Sequence, residues 1–350
     1  MTLAARLFKR RLGVVPPRRV VRYLALFAGV ALGVVVSVLA ALRVAAGVRE
    51  SLTRSQAEPS TGRFVRGGDV EMFIQEEGPA AGPPVVLIHG TGAWGGIWRE
   101  TMHALAGAGY RAITLDLPPF GFSERPPLPR YSDGAQATRI TGVLDALNLR
   151  SVTLVGHSFG GRPTVEAAFR DPARVRLLVL VDAALGLQPS VAPPSRPPLA
   201  LRVALSSPMV RDPLVASTLT NPLLTRFFLR RLILDPADAT DVQVRMLQQQ
   251  LPVAGTTHAV GLWLREFLES DEQAVNRDRA RYRTLTMPTL LVWGADDAIT
   301  PLPQGQDLLG LLPSAELVVL KHTGHIPAIE DATAFNGALL KFLAEHRSTP

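Results

Sequence analysis

Cysteine is absent from the 350 residues. That excludes disulfides, a thiolate nucleophile and any cysteine-ligated metal. It leaves the compartment open, because a core of this size needs no disulfide. Asn-x-Ser/Thr acceptor sites are missing too. Acidic residues are missing from the first 49 positions. Residues 1–60 carry ten Lys/Arg against two acids, a net of +8 out of the chain's +7. The remaining residues, with 27 basic and 28 acidic side chains, lack an excess of either sign. A basic nucleic-acid face is therefore not expected on the folded part, and no nucleic-acid partner is implied.

What the arm does have is a run without charge. Tyr23 to Leu42 is twenty residues long, enough to span a hydrocarbon core as a helix. Arg6, Lys9, Arg10, Arg11, Arg18, Arg19 and Arg22 precede it. The positive-inside rule then predicts residues 1–22 as a basic cytoplasmic arm, 23–42 as a transmembrane helix, and the rest on the outer (periplasmic or extracellular) side. Residues 43–62 read as a linker, polar from 49 onward. A cleaved signal peptide ending near Val44-Ala45-Ala46 is the competing reading; the apolar run exceeds the usual core of such peptides. The spacing Gly29-x-x-x-Gly33 is read as incidental.

Beyond the linker, short apolar runs alternate with helical patterns. Val70–Gln75, Val85–Ile88, Ala112–Leu115, Val152–Val155, Leu177–Val181, Thr289–Trp293 and Leu317–Leu320 read as strands, mostly of the continuous type that is buried on both faces. Thr101–Ala108, Ala135–Leu147 and Val165–Arg170 read as helices between them. The alternation predicts an α/β fold with a mostly parallel central sheet. It breaks once, over residues 183–283, with helical patches at Leu223–Leu234, Asp241–Leu251 and Val260–Leu268. A stretch of that length is rarely structureless. It reads as a helical cap inserted into a core of residues 63–182 and 284–346.

The chemistry is carried by Gly156-His157-Ser158-Phe159-Gly160. It lies between a predicted strand and a predicted helix, the setting of a nucleophile elbow. Ser158 would sit on a strained turn, with glycines where strand and helix crowd in. Its base should come from another strand end. His325, in Lys321-His322-Thr323-Gly324-His325, is chosen over His322, which stands closer to the strand. His103, His258 and His346 read as surface or packing residues, and His89 as a brace for its loop. The acid is taken as Asp297 of Trp293-Gly294-Ala295-Asp296-Asp297, with Asp296 as the alternative. Oxyanion donors are expected from the backbone N–H groups of Phe159 and Thr91.

With these residues together, the chain resembles the α/β-hydrolase superfamily over roughly residues 63–345. It looks like the capped branch that contains C–C bond hydrolases, epoxide hydrolases, haloalkane dehalogenases and cofactor-free haloperoxidases. The matching pieces are Val86-Leu-Ile-His-Gly90, Asp116-Leu-Pro-Pro-Phe-Gly-Phe-Ser123, the elbow, Trp293–Asp297 and Gly324-His325. The order Ser158, Asp297, His325 is that of this fold. Epoxide hydrolases and haloalkane dehalogenases place an aspartate where Ser158 stands, so the resemblance implies neither activity. Asp116-Leu-Pro-Pro and Arg162-Pro163 depart from the family's usual residues. Arg162 reads as a packing residue, with contact to an anionic substrate group as the alternative.

The expectation is a membrane-anchored serine esterase acting on a hydrophobic small molecule, with no metal or organic cofactor. Phe227, Phe228, Trp263, Phe267 and Trp94 are candidates for an apolar pocket. A C–C hydrolase or perhydrolase is the alternative, and a non-catalytic binding protein is the rival of another class.

Overall fold

The computed structural model describes residues 17–126, 128–187, 198–268 and 274–347. Among the described residues eight strands form one sheet in the order β1-β2-β4-β3-β5-β6-β7-β8. They are β1 Gly62–Gly67, β2 Val70–Glu77, β3 Pro84–Ile88, β4 Arg111–Leu115, β5 Val152–His157, β6 Val175–Val181, β7 Thr289–Gly294 and β8 Ala315–Leu320. β1 and β2 are antiparallel to their neighbours, and β3 to β8 run parallel. β5 and β7 are buried at every position, as strands covered by helices on both faces must be. Apolar clusters fill both sides of the sheet.

β1 is not legible as a strand in the sequence. Gly-Arg-Phe-Val-Arg-Gly has polar residues where an edge strand meets water. It is held by a cross-strand ion pair, Arg63 to Glu76 at 2.6 Å, and by Phe64 packed edge-on against Phe73.

Between β6 and β7 the described residues form a helical layer over the carboxyl edge of the sheet. Its principal helices are Leu199–Ser206, Pro208–Ser217, Thr225–Leu232, Asp241–Gln248 and Thr256–Leu268. Val215, Val260 and Trp263 of this layer share one core cluster with the sheet. The first two helices escape the sequence reading because prolines interrupt the pattern. Pro208 in fact starts a helix, at a position where the missing N–H costs nothing.

The N-terminal helix runs from Pro17 to Arg49, past the predicted end at Leu42. Its part Val21–Arg49 is long and apolar enough to cross a membrane. Residues 43–62 are accordingly not a free tether. Leu39, Leu42, Arg43 and Ala46 are the partly or wholly covered positions on one face, where the helix packs on Pro208–Ser217. Beyond it, Leu52 bridges to Val253. The Glu50 carboxylate accepts the Thr257 N–H at 3.0 Å and the Thr257 hydroxyl, a favourable charge at the start of the helix Thr256–Leu268.

Candidate active site

β5 ends on the elbow. Ser158 has φ +51°, a left-handed conformation that costs a non-glycine residue free energy. The flanking glycines are sterically required. A Cβ on Gly156 would stand 2.6 Å from Thr164 Oγ1, and one on Gly160 would stand 2.4 Å from the His89 carbonyl oxygen. The Ala184 N–H donates to the Ser158 carbonyl at 3.0 Å and ties the turn to the segment after β6.

Three distant residues meet above the sheet edge. Ser158 Oγ lies 2.8 Å from His325 Nε2, and His325 Nδ1 lies 2.8 Å from Asp297 Oδ2. All three are buried. Asp296 is exposed, and so is His322, so neither alternative enters the line. Asp297 Oδ1 accepts the N–H groups of Ile299 and Thr300 at 2.7 and 3.0 Å, and Oδ2 also takes the Thr300 hydroxyl at 2.6 Å. Burial works against its charge, but the His325 hydrogen bond and charge and these donors outweigh it. The carboxyl is held down at about 2.

The histidine is fixed through its backbone. Its N–H donates to the Leu232 carbonyl of the cap at 2.9 Å. Glu330 accepts the N–H groups of Gly324 and Ile326, each at 2.8 Å. His157 Nε2–H donates to the His325 carbonyl at 2.7 Å. Burial, then the neighbouring His325, lowers the His157 ring to about 3, so it is a neutral brace. Sequence reasoning missed His157, Thr300 and Glu330. Only Thr300 left a trace, since Asp-x-x-Thr is a spacing at which a side chain closes its own turn.

Asp182, after β6, adds a second buried carboxyl. Oδ1 accepts the Gly294 N–H at 2.9 Å, and Oδ2 has no hydrogen-bond partner. Burial and the Asp297 charge push it well above the usual carboxylate range. Ligating atoms of Asp182, Asp297 and His325 lie within 4.8 Å of one another. Both ring nitrogens of His325 are engaged in the triad, so the cluster is arranged for hydrogen bonding rather than for metal ligation.

The loop after β3 approaches the elbow closely. A Cβ on Gly90 would stand 3.0 Å from Ser158 Cβ. His89 braces this loop: Nε2 accepts the Leu117 N–H at 2.9 Å and Nδ1–H donates to the Gly90 carbonyl at 2.8 Å. Burial lowers its ring to about 4, in keeping with this neutral form. Thr91 is exposed and lines a cavity with Phe120, Leu219, Thr220, Val260 and Trp263. Phe120 and Trp263 in turn pack edge-on against Phe159. Gln250 locks the loop to the cap, donating to the Gly92 carbonyl at 2.8 Å and accepting the Gly121 N–H at 2.7 Å.

The other pocket candidates lie elsewhere. Phe267 stacks behind Trp263. Phe227 is half exposed and packs on Phe228 at the outside of the cap. Trp94 donates to the Met246 carbonyl and borders a larger groove with Arg99 and Arg245, which contains no triad residue. Arg162 is buried on Asp133 at 2.8 Å and against the Phe267 ring. It is a packing residue. His103 pairs with Glu77, His258 with Asp212, and His346 bonds to the Phe342 carbonyl.

The chain matches the α/β-hydrolase fold family over residues 83–332. It belongs to that family. A 2-hydroxy-6-oxononadienedioate/2-hydroxy-6-oxononatrienedioate hydrolase of Paraburkholderia phymatum is 30% identical over 303 residues, 85% of this chain and 99% of the relative. The structure of a meta-cleavage product hydrolase from Pseudomonas fluorescens is 26% identical with TM-score 0.64, over 81% of this chain and 98% of that one. A structure described as a membrane phospholipase A, at 23% identity and TM-score 0.65, covers 95% of this chain and 100% of its own. The α/β-hydrolase is a hydrolase by family, and its sequence relatives are C–C bond hydrolases.

Proposed function

We propose that this protein is a membrane-anchored serine hydrolase that cleaves a carboxylic ester of a mainly apolar molecule. Ser158 attacks the carbonyl carbon while His325 takes its proton. Asp297 holds the imidazole tautomer and stabilises the imidazolium. The N–H groups of Thr91 and Phe159 receive the oxyanion. The protonated His325 then hands its proton to the leaving alcohol, and water releases the acyl-enzyme by the reverse sequence. The helix Pro17–Arg49 is the anchor.

The carrying observation is the lining of the small cavity beside Thr91, made by Phe120, Leu219, Leu251, Val260 and Trp263 with Thr220, Gln250 and Thr256: it holds no Lys, Arg or His and no triad residue, and it adjoins the elbow through Phe159, on which Phe120 and Trp263 pack. Arg125 stands behind this lining, donating to the Thr256 hydroxyl at 2.9 Å, and does not itself line the cavity. A dianionic substrate such as a dienedioate would leave carboxylates desolvated there without touching a counter-charge, at a cost of several kcal/mol each (on the order of 2–7 kcal/mol for a merely polar group). An apolar acyl chain meets no such penalty.

The sequence relatives favour a second reading, hydrolysis of a C–C bond next to a ketone. The same serine and histidine serve it, with a carbon leaving group in place of an alcohol. One experiment separates the two. Purified full-length protein in detergent micelles is given p-nitrophenyl esters of graded acyl length and, separately, a 2-hydroxy-6-oxo-dienoate. Ester turnover that rises with acyl length and disappears in Ser158→Ala supports the ester reading. Turnover of the dienoate alone overturns it in favour of C–C cleavage. A fluorophosphonate that fails to label the folded protein would instead favour a binding protein.

A further inference from the structure

The helix Pro17–Arg49 has two unlike halves. From Val21 to Val38 every residue is exposed, and from Leu39 to Arg49 one face is covered by the cap. The bare half has eighteen residues, roughly 27 Å at 1.5 Å per residue, about the thickness of a hydrocarbon core. A helix that spans with this half brings the cap helix Pro208–Ser217 to the membrane surface. The cap is apolar there. Leu199 is 72% exposed, Val203 60% and Met209 86%, with Leu201 and Val210 also exposed. Residues 198–217 contain one carboxylate, Asp212, buried against Arg211 and His258, and two arginines, of which Arg202 is exposed. Exposed apolar side chains with an exposed basic residue and no exposed acidic one are the composition of an interfacial helix on anionic lipid.

We propose that the cap helices Leu199–Ser206 and Pro208–Ser217 lie in the headgroup region of the bilayer crossed by the N-terminal helix. The proposal rests on the anchor reading above. The same segment leads directly into the cavity: Leu219 and Thr220, which line it, follow Pro208–Ser217 in the chain. The anchor reaches that wall through Glu50, Thr257 and Thr220, whose hydroxyl lies 2.8 Å from that of Thr257. A substrate dissolved in the bilayer, an acyl amphiphile, would therefore enter without crossing water.

The absence of cysteine makes the test clean. Single cysteines are placed at Met209, Val203, Leu32 and Lys341 of the full chain, labelled with an environment-sensitive fluorophore and reconstituted into vesicles of phosphatidylglycerol and phosphatidylcholine. The expected result is quenching by shallow nitroxide lipids at least two-fold stronger at positions 209 and 203 than at 341, with deep nitroxides quenching position 32. Quenching at 32 alone overturns the cap proposal and keeps the anchor. No quenching at 32 overturns both. Shielding of position 209 from aqueous iodide in detergent, without lipid quenching in vesicles, overturns it in favour of a second copy on this face.

A second arm reads function. Met209→Asp with Val203→Asp is expected to lower hydrolysis of a vesicle-borne ester about ten-fold and leave a short water-soluble ester unchanged. Equal rates on both substrates, relative to wild type, overturn the entry route.

Discussion

The turns after β6 and β7 each hold a buried aspartate, and the two carboxyls are shifted in opposite directions. Asp297 is held down near 2, and Asp182 is pushed well above the usual carboxylate range. Burial pushes both upward and is the largest cause at Asp182, whereas at Asp297 the donors outweigh it. Asp297 receives two backbone N–H groups, the Thr300 hydroxyl and the His325 ring. Asp182 receives one N–H, from Gly294, and has the Asp297 charge nearby. A carboxylate in a dry site is ionised where its lone pairs are met, and neighbouring charge then makes a second ionisation costly.

The largest expected contrast is in turnover. Ser158→Ala and His325→Ala should each lower kcat by at least about 10³-fold, with the double variant little worse, because the two act as one unit. Asp297→Asn should fall about 10³- to 10⁴-fold, as expected when the acid of such a triad is lost. Asp182→Asn should stay within about three-fold of wild type, since its amide reproduces a protonated carboxyl (the few-fold allowance is an order-of-magnitude expectation). Equal losses in the two aspartate variants, measured on one ester, would break the comparison.

Thr300→Val comes next. It removes the hydroxyl from Asp297 and leaves both N–H donors, so a loss of about ten-fold is expected, the equivalent of about 1.4 kcal/mol. NMR of the Asp297 carboxyl should show its titration moved upward from about 2.

The smallest effects are in stability against pH, where the two carboxyls have opposite signs. Unfolded Asp297 titrates near 3.8. Its folded value is lower, so its contribution is complete above about pH 4 and is lost as pH falls toward 2. Asp182 is raised. The unfolded chain loses that proton above 3.8 while the folded one keeps it, so stability declines as pH rises from there. Asp182→Asn should therefore raise Tm at pH 8 by about 1–2 °C for each kcal/mol recovered, and change it little at pH 4. A Tm gain that is equal at both pH values would show that the wild-type carboxyl is ionised.

The N-terminal helix and the cap face it packs on contrast with this site in how they can be read. The elbow was legible because a strained turn between strand and helix admits few residues, and Gly156, Ser158 and Gly160 spell it out locally. The sheet was legible because strands covered on both sides must be apolar throughout, as β5 and β7 are. The helix after Leu42 was not. Its covered positions, Leu39, Leu42, Arg43 and Ala46, matter only because Pro208–Ser217 lies opposite them. Trp94, in the loop after β3, and Phe227, in the cap, were equally opaque, since an aromatic residue looks the same in sequence whether it lines a cavity or faces away from it.

The amino-acid sequence alone determined the strand–helix alternation, the serine on its elbow and the apolar span near the N-terminus, because periodicity, glycine spacing and hydrophobic length act within one stretch of chain. Tertiary structure alone decided which carboxyl is raised and which is lowered, how the His325 loop is held by Leu232, Glu330 and His157, and where the N-terminal helix meets the cap. Those outcomes depend on donors and surfaces supplied by segments far away in the chain, and a local pattern carries no record of them.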